Sequence, residues 1–376
     1  MKTYSPINVL FHSDYNHAKM GGQKSLLALI DNLDRGRFNP YLVIPSDGEL
    51  RLLAEERNVE VFIKSIPGFK PINLFKLRNV RNEFIDFIIK NDIKLIHSDN
   101  VKFSYFSTFI SKKVNVKTIY HARVTSWRKY DKQMESRIDK IIGISEATKA
   151  RFNKLANTNK FSVVFNGVDC EKFSDNYDKN TVREKLNLAN DEKILLFVGQ
   201  IKKSKGLGDI IEALNKIKDL QNLKLYILGS EPEVGMKQEF IDLISKYELT
   251  QYIEFVGQKS NVNEWLQAAE LVLFPSYEGA EGMGRVPFEA MATSTPVIAS
   301  NISGVNEAVN NDVGILIDQE SPQQIADAVT TLLNDGELYN RLATNGRKRA
   351  LELFDIKVHA KNMMELFEEM VNENEN

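Results

Sequence analysis

Cysteine is almost missing from this 376-residue chain. The one that occurs, Cys170, has no partner for an intramolecular disulfide and no companion cysteine for a zinc site, which fits a reducing, cytoplasmic setting. Long apolar runs are missing too: nothing approaches the ~18 uninterrupted apolar residues of a membrane-spanning helix. The opening MKTYSPINVLFHSDYN has neither an apolar h-region nor a small-residue cleavage site, so the sequence reads as neither exported nor spanning. Low-complexity tracts are also lacking, and expected disorder is confined to the ends, chiefly the closing NENEN. There is no DxD triplet and no His/Asp cluster at ligand spacing, so no bound divalent metal is expected. No recognised nucleic-acid module is present either, and no nucleic-acid partner is expected.

The composition that remains, 43% hydrophobic and 27% charged, is that of a soluble globular protein. Its length suits two domains of ~100 to 200 residues each. Charge is unevenly shared. Residues 1–170 hold 28 Lys and Arg against 17 Asp and Glu, a net +11, whereas residues 171–376 hold 21 against 34, a net −13. One reading is that the positive half faces an anionic surface; the other is compositional drift, with the halves attracting each other.

Short β-branched runs alternate with helical patterns throughout. They are INVLF (7–11), YLVI (41–44), VEVFI (59–63), KLIH (94–97), VKTIYH (116–121), KIIGIS (140–145) and SVVFNG (162–167). After a polar break at 166–188 the rhythm restarts with KILLFVGQ (193–200), KLYILG (224–229), YIEFVG (252–257), ELVLFPS (270–276), TPVIAS (295–300) and GILI (314–317). Stretches such as GDIIEALNKIKDL repeat apolar residues at three and four. This predicts an α/β protein of two doubly wound parallel-sheet domains, with ligands at the carboxyl ends of the strands.

One such end carries EGAEGMGRVPFEAMATSTPVIAS, residues 278–300. LVLFPS reads as a buried strand, Tyr277 to Val286 as the loop leaving it, and Pro287 as the first turn of the next helix. A glycine-rich turn before a helix N-terminus suits phosphate, and Glu281 and Glu289, in the loop and in the first helical turn, suit sugar hydroxyls. Acidic residues that merely stabilise the helix dipole remain the alternative.

The stretch resembles the signature of the retaining glycosyltransferases of family 4, which have the GT-B fold. Shared features are two glutamates with seven residues between them, the glycine loop, EAMA and PVIAS. GGQKSLLALIDNL (21–33), YHARV (120–124), ISEATKARF (144–152), VFNGVDCEKF (164–173) and FVGQIKKSKGLGDIIEAL (197–214) resemble further elements of that family, in order. The resemblance implies two Rossmann-like domains facing across a cleft. Residues 1–168 would bind the acceptor and 169–355 the nucleotide-sugar, while 356–376 would form a closing helix crossing back to the first domain, then a disordered tail.

It also implies roles. Glu289 would bind ribose hydroxyls and Glu281 the donor sugar near the reacting ring, while the N–H groups of Gly282, Met283 and Gly284 would hold a phosphate or sugar oxygens. Lys205 would neutralise the diphosphate, Gly21 and Gly22 would let the first loop approach the donor phosphates, and His121 would face the donor sugar at the reaction centre. Glu281, His121 and Lys205 are thus the catalytic candidates. The donor would be UDP- or GDP-linked, with no cofactor. Gln200 departs from the family, which usually has Arg there; Arg285, Lys202 and Lys203 are the cations near enough in sequence to compensate, and solvated loop cations are the alternative reading. Ser294 stands where the family often has Gly, a turn substitution. Arg123 and Lys149 are further basic candidates.

IPGFKPINLFKLRNVRNEF, residues 66–84, interleaves Phe69, Ile72, Leu74, Phe75 and Leu77 with Lys70, Lys76, Arg78 and Arg81. This suits an anionic membrane face or a lipid-linked acceptor; the alternative is a loop leading into an ordinary amphipathic helix with its apolar residues facing the core, the reading adopted for Val80, Phe84 and Phe87 and left open for Phe69 to Leu77. The expected function is transfer of a sugar to a glycan or lipid-linked acceptor in polysaccharide or lipopolysaccharide synthesis, at the cytoplasmic face of the membrane. A non-catalytic sugar-nucleotide-binding or assembly partner of the same fold is the alternative, and Gln200 favours it. Another GT-B enzyme class, an epimerase or phosphorylase, comes next; a Rossmann dehydrogenase is disfavoured because no G-x-G-x-x-G follows the first strand.

Overall fold

The structure, a computed structural model, describes residues 5–18, 21–152 and 158–372. Residues 373–376, the end of the expected disordered tail, lie outside them. The chain divides into two units, Met1–Gly167 with Ile356–Asn376, and Val168–Asp355.

The first unit carries β1 (Ile7–His12), α1 (Gly21–Asp31), β2 (Phe38–Ile44), α2 (Glu49–Glu55), β3 (Glu60–Ile63), α3 (Leu74–Lys90), β4 (Ile93–Ser98), α4 (Val101–Ser111), β5 (Lys117–Ala122), α5 (Asp131–Glu135), β6 (Lys140–Gly143) and β7 (Phe161–Val163). The second carries α6 (Lys179–Lys185), β8 (Lys193–Val198), α7 (Leu207–Ile217), β9 (Leu223–Leu228), α8 (Met236–Lys246), β10 (Ile253–Gly257), α9 (Val262–Ala268), β11 (Leu271–Phe274), α10 (Val286–Ala292), β12 (Val297–Ser300), α11 (Val305–Ala308), β13 (Gly314–Ile317), α12 (Pro322–Asn334) and α13 (Gly336–Arg349). The closing α14 (Ile356–Asn372) belongs to the first.

Every apolar run read from the sequence carries a strand. The first unit forms a seven-stranded parallel sheet in the order β3-β2-β1-β4-β5-β6-β7, the second a six-stranded one in the order β10-β9-β8-β11-β12-β13. Strands such as β11 and β12 are buried over their whole length, as a sheet covered on both faces requires. β2 begins earlier than its apolar run suggests and contains Pro40. Its pairing with β3 starts only at Tyr41, so Pro40 faces a neighbour on one side alone and its missing N–H disrupts no ladder.

Helix ends follow local chemistry. Asn100 Oδ1 accepts the Phe103 N–H at 2.8 Å to start α4, and Asp335 caps α13 by accepting the Leu338 N–H at 2.9 Å. α14 buries Ile356, His359, Ala360, Met363, Leu366, Phe367 and Met370, a three-four stripe, in the cluster of Phe11, Phe38 and Ile119. No helix among the described residues is long and apolar enough to cross a membrane.

Each sheet has one place where strand order reverses, between β1 and β4 and between β8 and β11. The carboxyl ends of strands at such a reversal are where ligands of open parallel sheets bind.

Candidate functional site

In the second unit the β8–β11 reversal gathers most of the catalytic and donor-binding candidates named above. After β8 the chain passes Gly199 and half-buried Gln200, makes a 3-10 turn at Lys203–Lys205, and enters α7 through Gly206. After β11 it runs as a loop from Pro275 to Arg285 and enters α10, with Pro287 in the first turn.

The two loops are knitted together. Gly206 has φ +69°, and a Cβ there would lie 2.0 Å from the Pro275 carbonyl oxygen, so only glycine allows this approach. The Tyr277 N–H donates to the Ser204 carbonyl at 2.9 Å. Lys205 Nζ donates to the Ala280 carbonyl at 3.2 Å and pairs with the Glu281 carboxylate. Tyr277 Oη donates to Asp209 at 3.0 Å; burial raises the pKa of that carboxyl, against the hydrogen bond that lowers it.

A third segment supports the loop from beneath. Gly304, after β12, has φ +85°, and a Cβ on it would stand 2.2 Å from the Gly282 carbonyl oxygen. The Ser303 N–H donates to the Glu278 carboxylate at 3.1 Å, and the Glu278 N–H to Gln319 Oε1 at 2.5 Å. Sequence reading missed these partners. A glycine between β12 and α11 was the available signal, but nothing in the chain order says that it meets Gly282.

Glu289, in the first turn of α10, is nearly buried and receives Arg285 Nε at 3.1 Å. Met283 is fully buried, and Gly284 packs against the Phe274 ring, so this part of the loop is anchored in the core. Lys202 pairs with Glu233 at 3.3 Å and Lys203 with Glu239 at 2.7 Å. Of the cations considered as substitutes at Gln200, these two are therefore engaged with surface carboxylates and Arg285 with Glu289. Ser294 adopts φ 57°, the left-handed conformation that favours glycine, and its Oγ donates to Asp175 at 3.0 Å.

The first unit holds the other residues. Gly21 and Gly22 form the first turn of α1, not the loop before it, because helical bonding already begins there; a Cβ on Gly22 would lie 3.2 Å from Asp99 Oδ2. His121, at the end of β5, is fully buried, with Nδ1 3.2 Å from His97 Nε2 and Nε2 lacking a hydrogen-bond partner. Burial lowers its pKa, reinforced by Arg123, His97 and His359. Arg123 is held inside this unit, donating from Nε to Asp99 Oδ2 at 2.9 Å and from Nη1 to Asn166 Oδ1 at 2.8 Å, so it braces strand ends. Lys149 pairs with Glu146 one turn away.

The 66–84 segment divides. Val80 and Phe84 are buried and Phe87 is half-buried, stacked on Phe62 at 4.6 Å. Phe69 is half-buried against Tyr105 and Tyr130, while Lys70, Phe75, Lys76 and Arg78 are exposed. Among the described residues no three His, Cys, Asp or Glu side chains come together as metal ligands.

Residues 178–349 match the family model Glycosyl transferases group 1, and residues 20–172 match Glycosyltransferase Family 4. The capsular polysaccharide biosynthesis glycosyltransferase CapM of Staphylococcus aureus is 30% identical over 246 residues, 62% of this chain and 63% of its own. An uncharacterized glycosyltransferase of Methanocaldococcus jannaschii is 30% identical over 57% of this chain and 56% of its own. The lipopolysaccharide core mannosyltransferase LpsB of Rhizobium meliloti is 25% identical over 66% of this chain and 70% of its own. The alignments with the first two thus span about three-fifths of those relatives' lengths. Among solved structures, a Rickettsia africae glycosyltransferase superposes with a TM-score of 0.88 at 18% identity, covering 98% of this chain and 99% of its own. Anabaena HepE in complex with UDP superposes at 0.83 and 19% identity, covering 96% and 100%. Together with the two parallel sheets, these likenesses show the GT-B fold.

Proposed function

The chain belongs to the glycosyltransferases that these two family models describe, and we propose that it moves a sugar from a nucleotide-sugar to a glycan or lipid-linked acceptor, with retention at the anomeric carbon. The observation that carries this reading is the pairing of Lys205 with Glu281 across two loops tied to each other at the strand-order reversal of the second unit, with Glu289 in the first turn of the helix that the second loop enters. Lys205 would stabilise the diphosphate as it departs, Glu289 would hold the ribose, and Glu281 the donor sugar; His121, in the first unit, is the further catalytic candidate. The UDP bound by HepE makes UDP the first nucleotide to try, and the capsule and lipopolysaccharide enzymes among the relatives support a cell-surface glycan as product.

In the proposed reaction the bond from the anomeric carbon to the diphosphate oxygen breaks as that carbon bonds the acceptor oxygen on the same face. The acceptor's proton passes to the departing phosphate oxygen, so no carboxylate need become a nucleophile. Protein cations serve the leaving group in this scheme, which calls on no metal. A cytoplasmic site of action fits the lone buried cysteine.

Gln200 favours a second reading, a non-catalytic sugar-nucleotide-binding or assembly partner, because Arg285, Lys202 and Lys203 are already paired. Calorimetric titration with UDP, GDP, ADP and their sugar conjugates, on the wild type and on Glu289→Ala, tests the donor site. Affinity for one nucleotide, lost in the variant, supports donor binding; release of that nucleotide with sugar transfer then separates enzyme from binding partner. No affinity for any of them overturns donor binding and leaves the assembly-partner reading.

A further inference from the structure

From Val61 to Asn82 the chain has five Lys or Arg and no Asp or Glu. Within that span Ile72, Leu74 and Phe75, at the 3-10 turn and the start of α3, are 86, 67 and 74% exposed. The later turns of α3 bury Val80, Phe84 and Ile88, so the helix is anchored at one end while its start presents apolar side chains outward. Packing does not explain them.

A second segment reaches the same place. Tyr130 packs its ring on Phe69 at 5.4 Å and stacks on Tyr105 at 5.1 Å. Three residues before it stands Trp127, 62% exposed, followed by exposed Arg128 and Lys129. Three residues of chain reach at most about 11 Å, so the backbone of this tryptophan lies within that distance of Tyr130.

Between α3 and α4 a groove of about 240 Å³ is lined by Phe69, Leu74, Leu77, Phe106 and Phe109, with Arg78 and Arg81 at its edge. Arg81 Nε is buried there without a hydrogen-bond partner. Among the described residues Lys70, Lys76, Arg78 and Arg81 form no ion pair, so four cations surround exposed apolar side chains with no acidic residue between them.

We propose that this platform, Ile72, Leu74, Phe75 and Trp127 with the cations around them, docks on a bilayer rich in anionic lipid. The apolar side chains enter the headgroup boundary while the cations meet the phosphates, and a tryptophan is suited to that level. The proposal uses no residue of the donor loops and goes beyond the transfer reaction by giving the enzyme a surface to work on.

The test is sedimentation of the full chain with vesicles of phosphatidylcholine alone, and with roughly one lipid in three replaced by phosphatidylglycerol. Binding to the anionic vesicles only, falling with salt, is expected. Leu74→Ser with Phe75→Ser lowers it at least tenfold, and Lys76→Gln and Arg78→Gln each lower it about fivefold. These side chains are exposed, so the variants keep the wild-type circular dichroism and unfolding midpoint. Tryptophan emission shifts to the blue on binding, and the shift vanishes in Trp127→Phe. No sedimentation with anionic vesicles, equal sedimentation with neutral ones, or binding indifferent to the Leu74 and Phe75 changes overturns the proposal. Nucleotide titration separates the two readings: retained nucleotide affinity with lost vesicle binding in the double variant supports both, whereas anionic-vesicle binding by the wild type without nucleotide affinity overturns only the donor site.

Discussion

Lys205 and Glu281 share an ion pair in which each side chain is only about one-sixth exposed, at 15 and 16%. The cation proposed for the diphosphate is thereby positioned by the carboxylate proposed for the sugar. Lys205→Ala should lower kcat/KM about 10² to 10³-fold, the usual effect of losing a preorganised group that meets developing charge. It should also destabilise the fold by ~1–3 kcal/mol, because it leaves the carboxylate without its partner. Lys205→Ala/Glu281→Gln should regain most of that stability and none of the rate, as denaturant titration and steady-state kinetics will show.

Gln200 sits at the exit of β8 with its nearby cations paired elsewhere, so a guanidinium introduced there meets no competing role. Gln200→Arg should tighten nucleoside diphosphate binding roughly tenfold, about 1.4 kcal/mol. Calorimetry with UDP and with uridine distinguishes this from a general gain, since uridine affinity should not change.

Gly304 has no room for a side chain beside the Gly282 carbonyl oxygen. Gly304→Ala should displace the 278–285 loop and weaken nucleotide binding at least tenfold, although residue 304 need not touch the nucleotide. Unchanged affinity in that variant would show that the loop tolerates the shift.

Acid should destabilise the first unit through its buried histidines. Burial, aided by Lys102, lowers the pKa of His12 to about 3; burial, aided by Arg123 and His359, does the same for His97; and His121 is lowered well below its ordinary value. The unfolded chain takes up protons below about pH 6.5 while these rings stay neutral, so stability is full above that pH and falls as pH drops toward 3. Three such groups give a slope approaching ~4 kcal/mol per unit below about pH 5.5. Denaturant titrations across that window measure it, and His97→Asn should remove about a third of the slope.

Ser294 holds a left-handed backbone at φ 57°. Ser294→Gly should raise stability by ~0.5–1 kcal/mol, since relief of the strain outweighs an exposed hydrogen bond to Asp175. Thermal unfolding reads this directly.

The donor loop was legible because its parts are local in sequence: a buried strand, glycines, Pro287 in a first helical turn, and two glutamates at fixed spacing. Its support was not legible. Gly304, Ser303 and Gln319 reach Gly282 and Glu278 from segments beyond the next strands, and pattern carries no register between such segments. The same limit applied at Phe69, whose partial burial depends on Tyr105 and Tyr130, far along the chain. At Gly21 and Gly22 a glycine pair suggested a loop, but the helix-forming residues that follow draw it into the first turn of α1. The fate of Lys202 and Lys203 turned on the acidic face of α8 and its approach, which supplies Glu233 and Glu239.

The chain leaves the first unit after Gly167 and returns to it at Ile356, and the residues just inside those crossings, Val168 and Asp355, lie side by side in a parallel bridge. The second unit is thus an insertion with adjoining ends. As the ribosome delivers the chain, this inserted unit is complete at Asp355 while the first still lacks the helix that covers Phe11 and Phe38. The part made later can therefore finish folding earlier, and the part made first must wait, one face of its sheet covered only in part by α1 and α2, until α14 emerges.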